Sequence, residues 1–238
     1  MTPLWTLVGV ELRKMTDTRA GVWLLGIIGV IAAGIVVLIQ FVGEPADKTL
    51  TGLLGPSVIP VAVLLPVLGI LSVTSEWSQR TALTTYALVP QRGRVAVAKI
   101  VAGTVLAIGS FAVCLAASAA GNLFSGGSWA LTLAYAGTVC LYAVISVALG
   151  VAFGMLFMNS ALSIVLYFVL PIVWSTLGAL IKALQTPAQW LDLSVTSGKL
   201  VELSMTSGDW ARLGTSVALW IALPLALGFV RLARRDIA

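Results

Sequence analysis

The sequence predicts an all-α integral membrane protein with six transmembrane helices, and three observations carry that prediction. Of 238 residues, 59% are hydrophobic and only 10% charged, with a mean hydropathy of +1.05, whereas soluble domains carry about a quarter charged residues. Six apolar runs, near 22–42, 53–73, 100–120, 130–156, 161–181 and 213–232, have no formal charge at their centres. Each is long enough for a hydrocarbon slab about 30 Å thick. The cations are also unevenly shared. With six spans, Arg13, Lys14, Arg19, Arg80, Arg92, Arg94, Lys99, Arg231, Arg234 and Arg235 fall on one side, and Lys48, Lys182, Lys199 and Arg212 on the other. That positive-inside bias predicts a multi-pass protein of the cell membrane with both termini cytoplasmic. It also accounts for the net charge of +5 without nucleic acid. No polar stretch approaches the ~50 residues a soluble domain needs, so 1–238 reads as one membrane domain.

In chain order, residues 1–20 come first. At 3.6 residues per turn, Leu4, Trp5, Val8, Leu12 and Met15 share one arc, with Thr6, Arg13, Lys14 and Asp17 opposite. This predicts an interfacial helix lying along the membrane. Glu11 sits at the edge of the apolar arc, as either a charge reaching the headgroups or a salt-bridge partner of Arg92 and Arg94. The first apolar run is too long for a signal-peptide core and is expected to stay in the mature protein. The second span holds Pro56, Pro60 and Pro66, which remove backbone donors and should bend or shorten it.

Residues 74–99 interrupt the spans with Ser75-Glu76-Trp77-Ser78-Gln79-Arg80-Thr81 and end in Arg92, Arg94 and Lys99. Thr74 or Ser75 can cap a helix whose first turn carries Glu76 at the positive end of the dipole. Trp77, Thr81, Thr84 and Leu88 then share a face, and Pro90 and Gly93 end the helix. Such a helix can rest on the membrane or dock into a partner.

In the later spans, Gly150 and Gly154, like Ala116 and Ala120, are small residues four apart, suited to packing within one subunit or to dimerisation. Pro171 frees the carbonyl near Tyr167 and is either a hinge or a static kink. Residues 182–212 contain an echo, Leu193-Ser-Val-Thr-Ser-Gly198 and Leu203-Ser-Met-Thr-Ser-Gly208, which is turn and cap chemistry. With Trp190 and Trp210 at headgroup level, this segment is either a partly inserted outer gate or a plain loop.

Chemistry of its own is not expected. There is no histidine, Cys114 and Cys140 sit in different apolar runs, and no acidic pair lies inside a span. Gly198-Lys199 lacks the rest of a phosphate-binding loop. Charge-free span centres also disfavour an ion-coupled carrier. The chain reads as no enzyme, with no cofactor or metal.

Glu11-Leu-Arg-Lys14 and Thr18-Arg19 before a tryptophan, Ser75-Glu76-Trp77 with Thr81, Pro90-Gln-Arg92 with Lys99, and a Pro224 span closing on Arg234-Arg235-Asp236-Ile237 follow one another along the chain. In order and spacing they resemble the type-2 ABC transporter permeases over essentially the whole length. The resemblance implies that 74–99 is a cytoplasmic coupling loop, with Glu76, Trp77, Arg80, Thr81, Thr84 and Leu88 facing an ATPase. Beside it, Glu11, Arg13, Arg92, Arg94 and Lys99 are expected to form a cytoplasmic ion-pair network. Residues 182–212 would form short outer re-entrant helices, while Pro171, Trp190 and Trp210 are hinge and gate candidates from the residue pattern alone.

The implied partners are two ATP-binding cassette subunits, which hold ATP and Mg, a second permease copy or relative, and membrane lipids. The implied activity is ATP-driven export of an amphipathic or hydrophobic substrate. One departure is Arg80, where the family commonly has glycine before the threonine. The same loop also fits a membrane anchor or signalling subunit that recruits an ATPase and moves nothing.

Overall fold

A computed structural model describes residues 3–78, 91–202 and 205–234, and these contain helices and no strand. Helix α1, Leu4–Thr16, carries Arg13 and Lys14 in its last turn, where they complement the negative end of the helix dipole. Thr18 then caps α2, Arg19–Val42, by accepting the Gly21 N–H at 3.0 Å. Next come α3, Leu50–Ser78, and α4, Arg92–Ser125, which Gly126 closes at φ 64°. Helix α5, Leu133–Phe157, stops at Met158 in the left-handed region, and Asn159 caps α6, Ser160–Leu180.

Two short helices follow: α7, Lys182–Leu191, and α8, Leu193–Gly198. Helix α9, Ser207–Val217, runs through a π turn at Ala218–Ala222 into α10, Leu223–Arg234. Helices α2 to α6 and the α9–α10 rod are six elements long and apolar enough to cross a membrane.

Helices α3 and α5 bury most of their spans, and the other four leave most of theirs facing outward. The two central helices meet through small residues. A Cβ on Gly150 would fall onto the backbone of Pro66, one on Gly154 would lie 3.1 Å from the Ile70 carbonyl, and one on Gly69 3.0 Å from that of Val147. The Gly150/Gly154 pair is thus used inside the chain, where close backbone approach supplies the packing that lipid cannot drive. Ala116 and Ala120 are outward-facing, and α4 instead presents Cys114 and Ser118 to α3, with Ser118 Oγ 3.2 Å from Ser57 Oγ.

The three prolines do not shorten α3, which stays helical for 29 residues. Pro66 leaves the Ala62 carbonyl without its helical donor, and the Tyr167 hydroxyl of α6 donates to it at 3.1 Å.

Contacts at the helix ends divide the cations into two groups. At one end, Arg92 Nη1 donates to the Leu232 carbonyl at 3.0 Å, Arg231 Nη1 to the Leu156 carbonyl at 2.6 Å, and Lys14 Nζ to Glu76 at 2.7 Å. At the other, Ser125 Oγ donates to the Lys48 carbonyl at 3.0 Å and Trp220 Nε1 to the Leu191 carbonyl at 2.6 Å. The sequence reading of α1 needs one change. Its buried face is Val8, Glu11 and Met15, set against Ala98 and Ala102 of α4, while Trp5 is 77% exposed.

Candidate functional site

The charged residues of α1, α3 and α4 meet in one buried cluster. Glu11 and Lys99 are each 3% exposed and Glu76 is 5% exposed. Lys99 Nζ donates to Glu11 Oε2 at 2.6 Å, to the Ser72 carbonyl at 2.7 Å and to Glu76 Oε1 at 3.0 Å, which uses all three of its protons. Lys14 Nζ, nearer the surface, donates to Glu11 Oε1 at 2.8 Å and to Glu76 Oε1 at 2.7 Å. Burial pulls the Lys14 ammonium down, but the hydrogen bonds to Glu11 and Glu76 outweigh it and hold its pKa above the ordinary value. Two carboxylates and two ammonium groups balance, as buried charges require. Glu76 Oε2 is buried without a partner among the described residues.

This geometry replaces two readings of the sequence. Helix α3 does not stop for a cap at Thr74 or Ser75. Thr74 is buried within it, its hydroxyl donating to the Ile70 carbonyl at 3.0 Å and lying 2.7 Å from Ser160 Oγ. Glu76 therefore occupies the last turn of a span, not the first turn of a loop helix, and Trp77 packs against the central apolar cluster. Gly93 lies inside α4 instead of ending a helix. Arg80, Thr81, Thr84 and Leu88 lie outside the described residues.

The second change concerns Glu11, whose partners are Lys14 and Lys99 and not Arg92 or Arg94. Those arginines open α4, Arg92 seven and Arg94 five residues before Lys99, or about 10 and 7 Å further along the axis. Arg92 reaches the α10 carbonyl and Arg94 the Gln91 Oε1 at 3.4 Å, while Arg13 is exposed. Lys14 and Glu76 are the members the sequence reading left out of the network, Glu76 having been read as a coupling residue; Lys14's place three residues after Glu11 was a usable signal.

A second feature is a cavity of about 310 Å³ bounded by α3, α5, α6, α8 and the π turn. Trp220 of the π turn stacks near Phe153, with centroids 6.4 Å apart at 19°, and Tyr167 meets Phe168 edge-on at 4.8 Å. Pro171 lines this space, while Trp190 and Trp210 stand outside it, largely exposed, with the Arg212 guanidinium 5.8 Å from the Trp190 ring. Asp192 caps α8 by accepting the Ser194 and Val195 N–H groups. Nothing in the sequence alone brought Tyr142, Tyr167, Trp174 and Trp220 together, since they come from three separated stretches. The wider comparison adds no relative: no protein-family model matches this sequence, and no curated protein matches it.

Proposed function

We propose that this chain is the membrane subunit of an ATP-driven transporter, powered by separate cytoplasmic ATP-binding subunits that engage the segment between α3 and α4. The observation that carries the reading is the buried cluster, which braces the chain on both sides of that segment. Glu76 stands just before it at the end of α3, and Lys99 stands about two turns into α4. Glu11 ties α1 to the same point. A push on 79–91 is therefore delivered to three helices together instead of being absorbed by a loop.

The residue pattern from Glu11 to Lys99 and the grouping of cations at one end favour a cytoplasmic position for this end, with α1 along the interface and 182–212 on the outer side. No nucleotide site is proposed on this chain. ATP and Mg belong to the partner subunits, and a second permease copy completes the pathway.

The test is affinity purification of the full chain from its native membrane. An ATP-binding subunit should co-elute, and should be lost when residues 79–90 are replaced by a Gly-Ser linker of equal length. Co-elution that survives the replacement, or absence of any ATPase, overturns the proposal.

A further inference from the structure

We propose that the cavity between α3, α5, α6 and the π turn binds a neutral aromatic molecule carrying a hydrogen-bond acceptor, of the aryl ketone kind. Its volume, about 310 Å³, lies at the small end of the range for sites that bury drug-sized ligands. Its wall is unusually aromatic for a chain in which only 8% of residues are Phe, Trp or Tyr: Tyr142, Phe153, Tyr167, Phe168, Trp174 and Trp220 all contribute. Two of these are pinned by their polar ends, Tyr167 on the Ala62 carbonyl and Trp220 on the Leu191 carbonyl, so their rings are held in place before any ligand arrives.

One donor in the same wall is open to a ligand: Tyr142 lines the space and its hydroxyl makes no hydrogen bond among the described residues, whereas the unpaired Nε1 of Trp174 is buried out of reach of the cavity. A tyrosine hydroxyl in an apolar pocket ordinarily finds a partner, and a ligand carbonyl would supply one. No Lys or Arg lines the space, and its one carboxylate, Asp192, is engaged at the start of α8. An anion would meet no countercharge there, and an acyl chain would leave the Tyr142 hydroxyl unpaired.

The rim carries Val63, Phe168 and Ile172, all exposed and apolar. In a membrane these face hydrocarbon, which makes the bilayer the route of entry. That the ligand is transported cargo rests on the proposed function above; that it binds does not.

Benzophenone is both a member of this class and a photolabel. Full-length protein in phosphatidylcholine nanodiscs should label saturably, with adducts on the cavity-facing residues of α5 and α6 and beside Trp220. Tyr142→Phe should raise the half-saturating concentration about fivefold, the worth of one hydrogen bond. Ser146→Phe, which fills the space, should abolish saturation, with a thermal melt confirming that it folds. Should it fail to fold, the milder Tyr142→Phe decides.

Unsaturable labelling spread over exposed α2 residues such as Val30 and Val37 would mean partition into lipid and overturn the site. So would saturation indifferent to Tyr142→Phe, or competition by hexadecane as strong as by unlabelled ketone. Saturable labelling of a chain that recruits no ATPase would leave the site standing and remove only the transport reading. ATPase recruitment by a chain that does not label would remove only the site.

Discussion

Glu76 occupies the last turn of α3, where the negative end of the helix dipole opposes a carboxylate, and two ammonium groups from other helices hold it there. The balance is easily upset from one side. Lys99→Met would leave Glu11 and Glu76 buried with only the partly exposed Lys14 between them. We expect a loss of about 3–5 kcal/mol in unfolding free energy, the usual result of stranding a buried charge, measured by denaturant titration in detergent. Glu11→Leu combined with Lys99→Leu should recover more than half of that loss. Arg13→Ala, at an exposed position, should change stability by no more than about 0.5 kcal/mol.

Lys14 adds a pH signature. Its pKa is raised in the folded chain, so its stabilisation is complete below the ordinary value of 10.5 and is lost as pH rises through the folded value. The thermal midpoint should therefore fall above about pH 10.5, and Lys14→Met should flatten the part of that fall due to this residue. The sequence placed Glu11 on α1 beside apolar neighbours but could not reveal its burial, because the lysine that makes burial tolerable lies 88 residues away.

Among the elements, α3 and α6 share a device in which one residue's deficit is met by another's side chain. Pro66 withholds a backbone donor and Tyr167 supplies one to the orphaned Ala62 carbonyl. Tyr167→Phe should cost about 1 kcal/mol in the native background and markedly less in Pro66→Ala, whose new N–H can serve the carbonyl. A double-mutant cycle on unfolding free energy measures that coupling, and additive effects would refute it.

The existence and type of these helices were legible because charge-free runs of about twenty residues have few alternatives. Their ends were less so. Thr74 and Ser75 suit a cap, yet a threonine can equally return its hydroxyl to the carbonyl four residues back. Thr74 does so once Ser160 and the core close around it. The π turn at Ala218–Ala222 leaves no mark in the apolar pattern, and with it Trp220 could not be placed against the end of α7 from sequence.

For the molecule as a whole, the helix-end contacts place Arg13, Lys14, Arg92 and Arg231 at one end and Lys48, Lys182 and Arg212 at the other, in agreement with the alternation expected for six spans. Single cysteines at Arg13 and Lys182, in a chain with Cys114 and Cys140 replaced by alanine, should differ in reaction with a membrane-impermeant maleimide on intact cells. Lys182→Cys should label and Arg13→Cys should not. Labelling of both from outside would remove the six-span sidedness.

The charge asymmetry could be read directly from the chain, because it depends on counts along the sequence. The aromatic cavity could not, because it depends on how five elements lean together. The ion cluster also bears on biogenesis. Both acids precede Lys99 in the order of synthesis, so a ribosome that has finished α3 has made a pair of carboxylates with only Lys14 to neutralise them. The amino-terminal helix can lock against the bundle only once the following span has brought in its ammonium group, which makes the arrival of α4 the step that seals the first half of the protein.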